Sequence, residues 1–259
     1  MIRQRAYTLA LLLCGTMLVG ILCNGCSFGP HELTEQEKEV VVQQMSILEA
    51  RMYACAKYLV DDYWETDTLD TFDCDDEWKI VEELEEVDLK YGSKELAITF
   101  LPRLLEASKY EAVYEIEAWE EWEFLNSDVI SDMYRMHYGD SIETESGTKR
   151  FFFEELPRLY ESPFLGVVMP RSTATALEPK LAEEYNTFYM GELDAFLLVL
   201  DLKNTEIICV KPFFAQSSDS VNPSSSVIDE EDIWKDFRKN VRNSLKASAG
   251  EIELDMDLF

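Results

Sequence analysis

Carboxylates are the most abundant reactive groups in this chain, with 52 Asp and Glu against 23 Lys and Arg and two His. Two acids facing each other across a sugar-binding cleft suffice for glycoside hydrolysis. The run EIEAWEEWEF sets Glu115, Glu117 and Glu120 beside Trp119 and Trp122, whose faces would stack on a sugar. The wet face of any acidic strand shows the same alternating glutamates, so extracytoplasmic glycan hydrolysis stands as the alternative reading rather than the principal one. A second dense run, Asp61 to Asp88, holds 14 acids against Lys79 alone. Clustered carboxylate oxygens suit calcium. Counted from Asp73, however, the glycine position of an EF-hand falls on Trp78 and the closing acid on Leu84, so the run reads as a solvated acidic face.

Histidine chemistry has only His31 and His137 to draw on. His137 stands near Asp140 and Ser141, but no GxSxG elbow accompanies it, and two histidines do not make a zinc set. No catalytic residue is assigned, and neither a cofactor nor a metal is expected. The opposite sign is concentrated in one place: Lys235, Arg238, Lys239, Arg242 and Lys246 recur at helical spacing near the C-terminus. They read as a face of internal ion pairs, with docking of an acidic partner as the alternative.

The N-terminus carries processing chemistry. Arg3 and Arg5 precede an apolar run from Ala6 to Cys23, 18 residues long, at the short limit for a spanning helix. The run ends in Gly25-Cys26, followed by Ser27 and Gly29. A small residue, then cysteine, closing an apolar segment resembles the lipobox of bacterial lipoproteins. Cys23 and Asn24 depart from the usual pattern at the two preceding positions. The resemblance implies cleavage before Cys26 and a lipid on its sulfur, which places a membrane among the partners and the remaining chain in the cell envelope, outside the cytoplasm. An uncleaved anchor and plain secretion are the alternatives; both also export the remainder. Residues 1–25 then form a signal peptide, 26–33 a tether, and 34–259 a single domain.

Losing residues 1–25 removes two arginines and no acid, so the net charge moves from −29 to −31. A body that acidic repels nucleic acid, which is excluded as a partner. Beyond Cys26, only Cys55, Cys74 and Cys209 remain. In an oxidising compartment one pair among the three can bridge, leaving one buried thiol.

These groups must be positioned by a modest set of elements. Thr34-Glu-Gln-Glu37 is a capping box opening a helix over 34–64, and Val41, Met45, Leu48, Met52, Cys55 and Leu59 alternate by four and three along one seam. That seam packs on the domain or, alternatively, forms a coiled-coil dimer. Trp78, Val81 and Leu84 start a second helix running to Tyr91-Gly92. YEAVYEIEA, 110–118, alternates with period two and reads as a strand, followed by a helix over 128–138 and a polar loop. PFLGVV, 163–168, is a further strand. AFLLVLDLKNTEIICVKPFF reads as a hairpin whose first strand is buried on both faces, with Pro212 pushing the second to an edge or bulge. A Ser-rich loop over 216–227 precedes a last helix, 229–246, with Ile233, Phe237, Val241 and Leu245 inward and Gly250 as its stop. EIELDMDLF alternates without error and closes the chain as a strand. The irregular order of elements argues against a doubly wound sheet. The expected class is α+β, an antiparallel sheet flanked by a long N-terminal helix and a C-terminal helix, serving as a tethered, non-enzymatic binding protein for an envelope partner.

Overall fold

The computed structural model describes residues 34–64, 66–72, 74, 77–107, 119–137, 151–182, 187–221 and 227–256. The chain divides into Met1–Lys38 and Glu39–Phe259. In the first unit the described part is the opening of a helix. The Thr34 N–H donates to Glu37 Oε2 at 2.8 Å and the Glu37 N–H to Thr34 Oγ1 at 3.3 Å, the reciprocal bonds of a capping box.

In the second unit this helix, α1 (Glu35–Asp62), buries Leu48, Met52, Cys55 and Leu59 completely. The four-three seam therefore faces its own domain, and the coiled-coil alternative is set aside. Burial pushes the Cys55 thiol up to about 12, with the charge of Asp201 adding to it, so this cysteine is a core group and not a nucleophile. The second helix, α2 (Glu77–Tyr91), turns Ile80 and Leu84 inward, while Trp78 stands 59% exposed, on the opposite side from that expected.

Among the described residues, five strands form the body of the sheet. β1 (Leu96–Phe100) pairs parallel with β2 (Phe164–Pro170), and β2 pairs antiparallel with β6 (Glu192–Asp201). β6 turns into β7 (Glu206–Gln216), and β8 (Leu254–Asp255) adds to β1 in parallel. The short β3 (Ala176–Leu177) extends the β2 side of β6, and β4 (Lys180–Leu181) pairs with β5 (Phe188–Tyr189) as a separate ribbon. The class is α+β as expected, but the sheet is mixed rather than antiparallel. A parallel neighbour requires a crossover instead of a hairpin. The β1 to β2 connection is such a crossover, carrying α3 (Leu101–Ala107), α4 (Asp128–His137) and α5 (Leu156–Glu161).

The hairpin over 195–214 forms as read. β6 is buried along Ala195–Asp201, and among the described residues β7 pairs with β6 alone, so Pro212, opposite Phe196, lies on an edge strand, where proline is tolerated. β2 alternates between two cores: Leu165, Val167 and Met169 join α1, while Phe164 and Val168 join α2 and the last helix, α6 (Glu230–Ala249). At Gly166 a Cβ would lie 2.8 Å from Ile98 Cγ2, so only glycine lets β1 and β2 approach there. The C-terminal strand is shorter than the alternation suggests, yet its phase holds: Ile252, Leu254 and Met256 are buried and Glu251 and Glu253 exposed.

Candidate functional site

α6 is built by strong local signals. The Asp229 carboxylate accepts the Asp232 N–H at 2.9 Å, acids fill the first turn, and Gly250, at φ 70°, ends the helix in a conformation other residues adopt only with strain. Ile233, Phe237, Val241 and Leu245 are fully buried, as the spacing implies. They meet an aromatic cluster in which Trp122 stacks on Phe100 at 5.6 Å and meets Phe237 edge-on at 5.5 Å.

The basic residues of α6 separate into two groups. Lys235, Lys239 and Lys246 are exposed, and none has an ion pair among the described residues. Arg238 and Arg242 are half-buried: the Arg238 guanidinium lies 5.3 Å from the Trp234 ring centre and 5.8 Å from that of Phe124, and Arg242 lies 5.8 Å from Phe124. Helical spacing alone joins these five residues into one stripe. The ring of Phe124, supplied by the 3-10 turn Trp119–Leu125, divides them into a solvent-facing lysine ridge and an arginine pair held by aromatic faces.

A cleft of about 460 Å³ opens where the end of α2, the start of β1, α5 and the C-terminal strand converge. Seven carboxylates line it, among them Asp88, Glu95, Glu154 and Asp255, against Lys94 and Arg158. Arg158 spans its wall, donating to Ser93 Oγ at 2.7 Å and to Asp255 Oδ2 at 2.5 Å. Lys94 pairs with Glu253 at 2.7 Å, and the bond from its ammonium to that carboxylate raises its pKa. Burial, and then the hydrogen bond to Glu161, push the Tyr91 hydroxyl well above its ordinary range. The surplus of negative charge repels anions. No stretch of sequence announces this cleft, because its residues come from positions 88–95, 128, 154–158 and 253–255.

The remaining candidates fall elsewhere. Cys26, His31, Glu115 and Glu117, together with the strand over 110–118 and the loop after residue 138, lie outside the described residues, as do the side chains of Trp119, Glu120 and His137. Trp122 has no exposure, so it is a core residue and not a platform for sugar. Among the described residues no three side chains are grouped to hold a metal ion. Among the same residues no helix is long and apolar enough to cross a membrane. Cys74 and Cys209 form a disulfide, leaving Cys55 as the free, buried thiol among the described residues. No family model, no curated protein and no solved structure matches this chain.

Proposed function

We propose that this chain is an extracytoplasmic envelope lipoprotein, tethered to a membrane through a lipid on Cys26, with a binding role and with α6 as its docking face. The observation that supports the compartment is the Cys74–Cys209 disulfide. Such bonds persist in oxidising compartments and are rare in the cytosol of mesophiles, and the positive leader with its apolar run sends this part of the chain outward. A binding role is favoured by the burial of Trp122, which takes away one of the two tryptophans that the glycan-hydrolase alternative would use. The exposed Lys235, Lys239 and Lys246 favour docking over internal pairing.

Intact-mass measurement on the membrane-extracted protein tests the tether. The expected result is a chain beginning at Cys26 that carries acyl mass, and its loss in Cys26→Ser together with release from the membrane fraction. An unacylated chain beginning at Met1 in the membrane fraction would replace the lipid with an uncleaved anchor.

A further inference from the structure

Cys55, Cys74 and Cys209 are divided between the two faces of the sheet. Successive residues of β6 point to opposite faces, and Leu198 and Leu200 join one core while Leu197 and Val199 join the other. Cys55 lies fully buried in the first core, with Leu48 and Met52 of α1. Cys209, opposite Val199 in the β6–β7 register, belongs to the second core, and Cys74 packs against that same core. The disulfide therefore joins the two sulfurs that share a face.

Spacing along the chain favours a different pair. Cys55 stands 19 positions before Cys74, whereas Cys74 and Cys209 are 135 apart. In an unfolded chain the chance that two residues meet falls as about the three-halves power of their separation, which favours Cys55 with Cys74 by about twenty-fold. Export adds to this bias. The N-terminal part of the chain emerges first, so Cys55 and Cys74 reach the oxidising compartment while Cys209 is still to arrive.

We infer that Cys74 is first oxidised onto Cys55 and is then transferred to Cys209, which makes this chain a substrate for a dithiol protein that exchanges disulfides in the envelope. The partner rests on the extracytoplasmic reading proposed above; the order of pairing rests only on the spacing of the cysteines and on the two cores. In the first step the thiols of Cys55 and Cys74 give two electrons and two protons to an external disulfide, which is reduced to its thiols. In the second, a thiolate of the dithiol protein attacks Cys74 Sγ, the Cys55–Cys74 bond breaks, and Cys55 leaves and takes up a proton. The Cys209 thiolate then attacks the same Cys74 Sγ and expels the thiolate of the catalyst. The transfer involves no net oxidation. Folding makes it one-way, because Cys55 is enclosed in the core on the other face and burial keeps its thiol protonated, so no thiolate remains there to attack Cys74 again.

The test is oxidative refolding of the mature chain, extracted in detergent, reduced and unfolded in urea, then diluted into a glutathione buffer. Samples are alkylated at intervals, and linked peptides are identified by mass. A Cys55–Cys74 peptide is expected first, giving way to Cys74–Cys209 over minutes to hours. Added protein disulfide isomerase is expected to shorten that exchange several-fold without changing the end product. Cys55→Ala is expected to reach Cys74–Cys209 without the lag and to gain little from the isomerase. Cys209→Ser is expected to stop at Cys55–Cys74, an outcome that needs no native fold. A wild type that forms Cys74–Cys209 with no earlier Cys55–Cys74 species, or whose exchange the isomerase leaves unchanged, overturns the inference. Alkylation of the native protein at the moment of extraction reads the compartment separately: Cys74 and Cys209 found bonded there support export whatever the order in which they paired.

Discussion

Cys74 is bonded to Cys209 across 135 residues of sequence, which ties the segment between α1 and α2 to the edge strand β7. A bridge over so long a loop removes many conformations from the unfolded chain, and its loss costs about 2–4 kcal/mol. Cys74→Ser should therefore unfold at lower denaturant than wild type, and adding reductant to wild type should reproduce most of that shift. Equal midpoints for oxidised and reduced protein would show that the bond contributes nothing. The cleaner variant is at Cys74, because Cys209 is fully buried and a serine there would also bury a hydroxyl.

The arginines and lysines of α6 should respond differently to charge reversal. Arg238 and Arg242 lie over Trp234 and Phe124, and each cation–ring contact contributes about 0.5–1 kcal/mol. Arg238→Glu/Arg242→Glu replaces this attraction with a carboxylate beside the ring faces, so a loss of about 1–3 kcal/mol is expected. Lys235→Glu/Lys239→Glu changes only exposed groups and should stay within about 0.5 kcal/mol. Thermal melts of the two variants check the contrast, and equal losses would contradict it.

Glu77 should make stability depend on acid. Burial raises the pKa of its carboxyl, but the Lys211 ammonium and the Glu251 N–H outweigh burial and hold it below the usual carboxylate value. A carboxyl whose folded pKa is depressed contributes stability that is present above its unfolded pKa and lost as pH falls through the folded one. Glu77→Gln should therefore be less stable than wild type near neutrality, and the gap should close on acidification. Denaturant midpoints of both proteins across the acid range measure this; a gap that does not change with pH would remove the carboxylate from the account.

Local periodicity was enough to determine much of this protein. Leu48, Met52, Cys55 and Leu59 lie on one buried seam because a helix repeats every 3.6 residues, and the run that marks them needs no partner to be read. The hairpin β6–β7, the inner face of α6 and the phase of Ile252, Leu254 and Met256 follow for the same reason. The tertiary structure alone decided the rest. β1, Leu96–Phe100, is buried at every position, so it shows no alternation, and its parallel pairing with β2 and β8 depends on crossovers that no strand records. Which pair of cysteines bridges was open in the sequence, since the bond requires two side chains 135 positions apart to meet once the chain between them has been placed. The even basic stripe of α6 divided only when Phe124 came beside Arg238 and Arg242, and the acidic cleft exists only where four distant segments converge. Periodicity is carried by neighbours in the chain, whereas pairing direction, bridging and clefts are set by contacts between residues far apart in it.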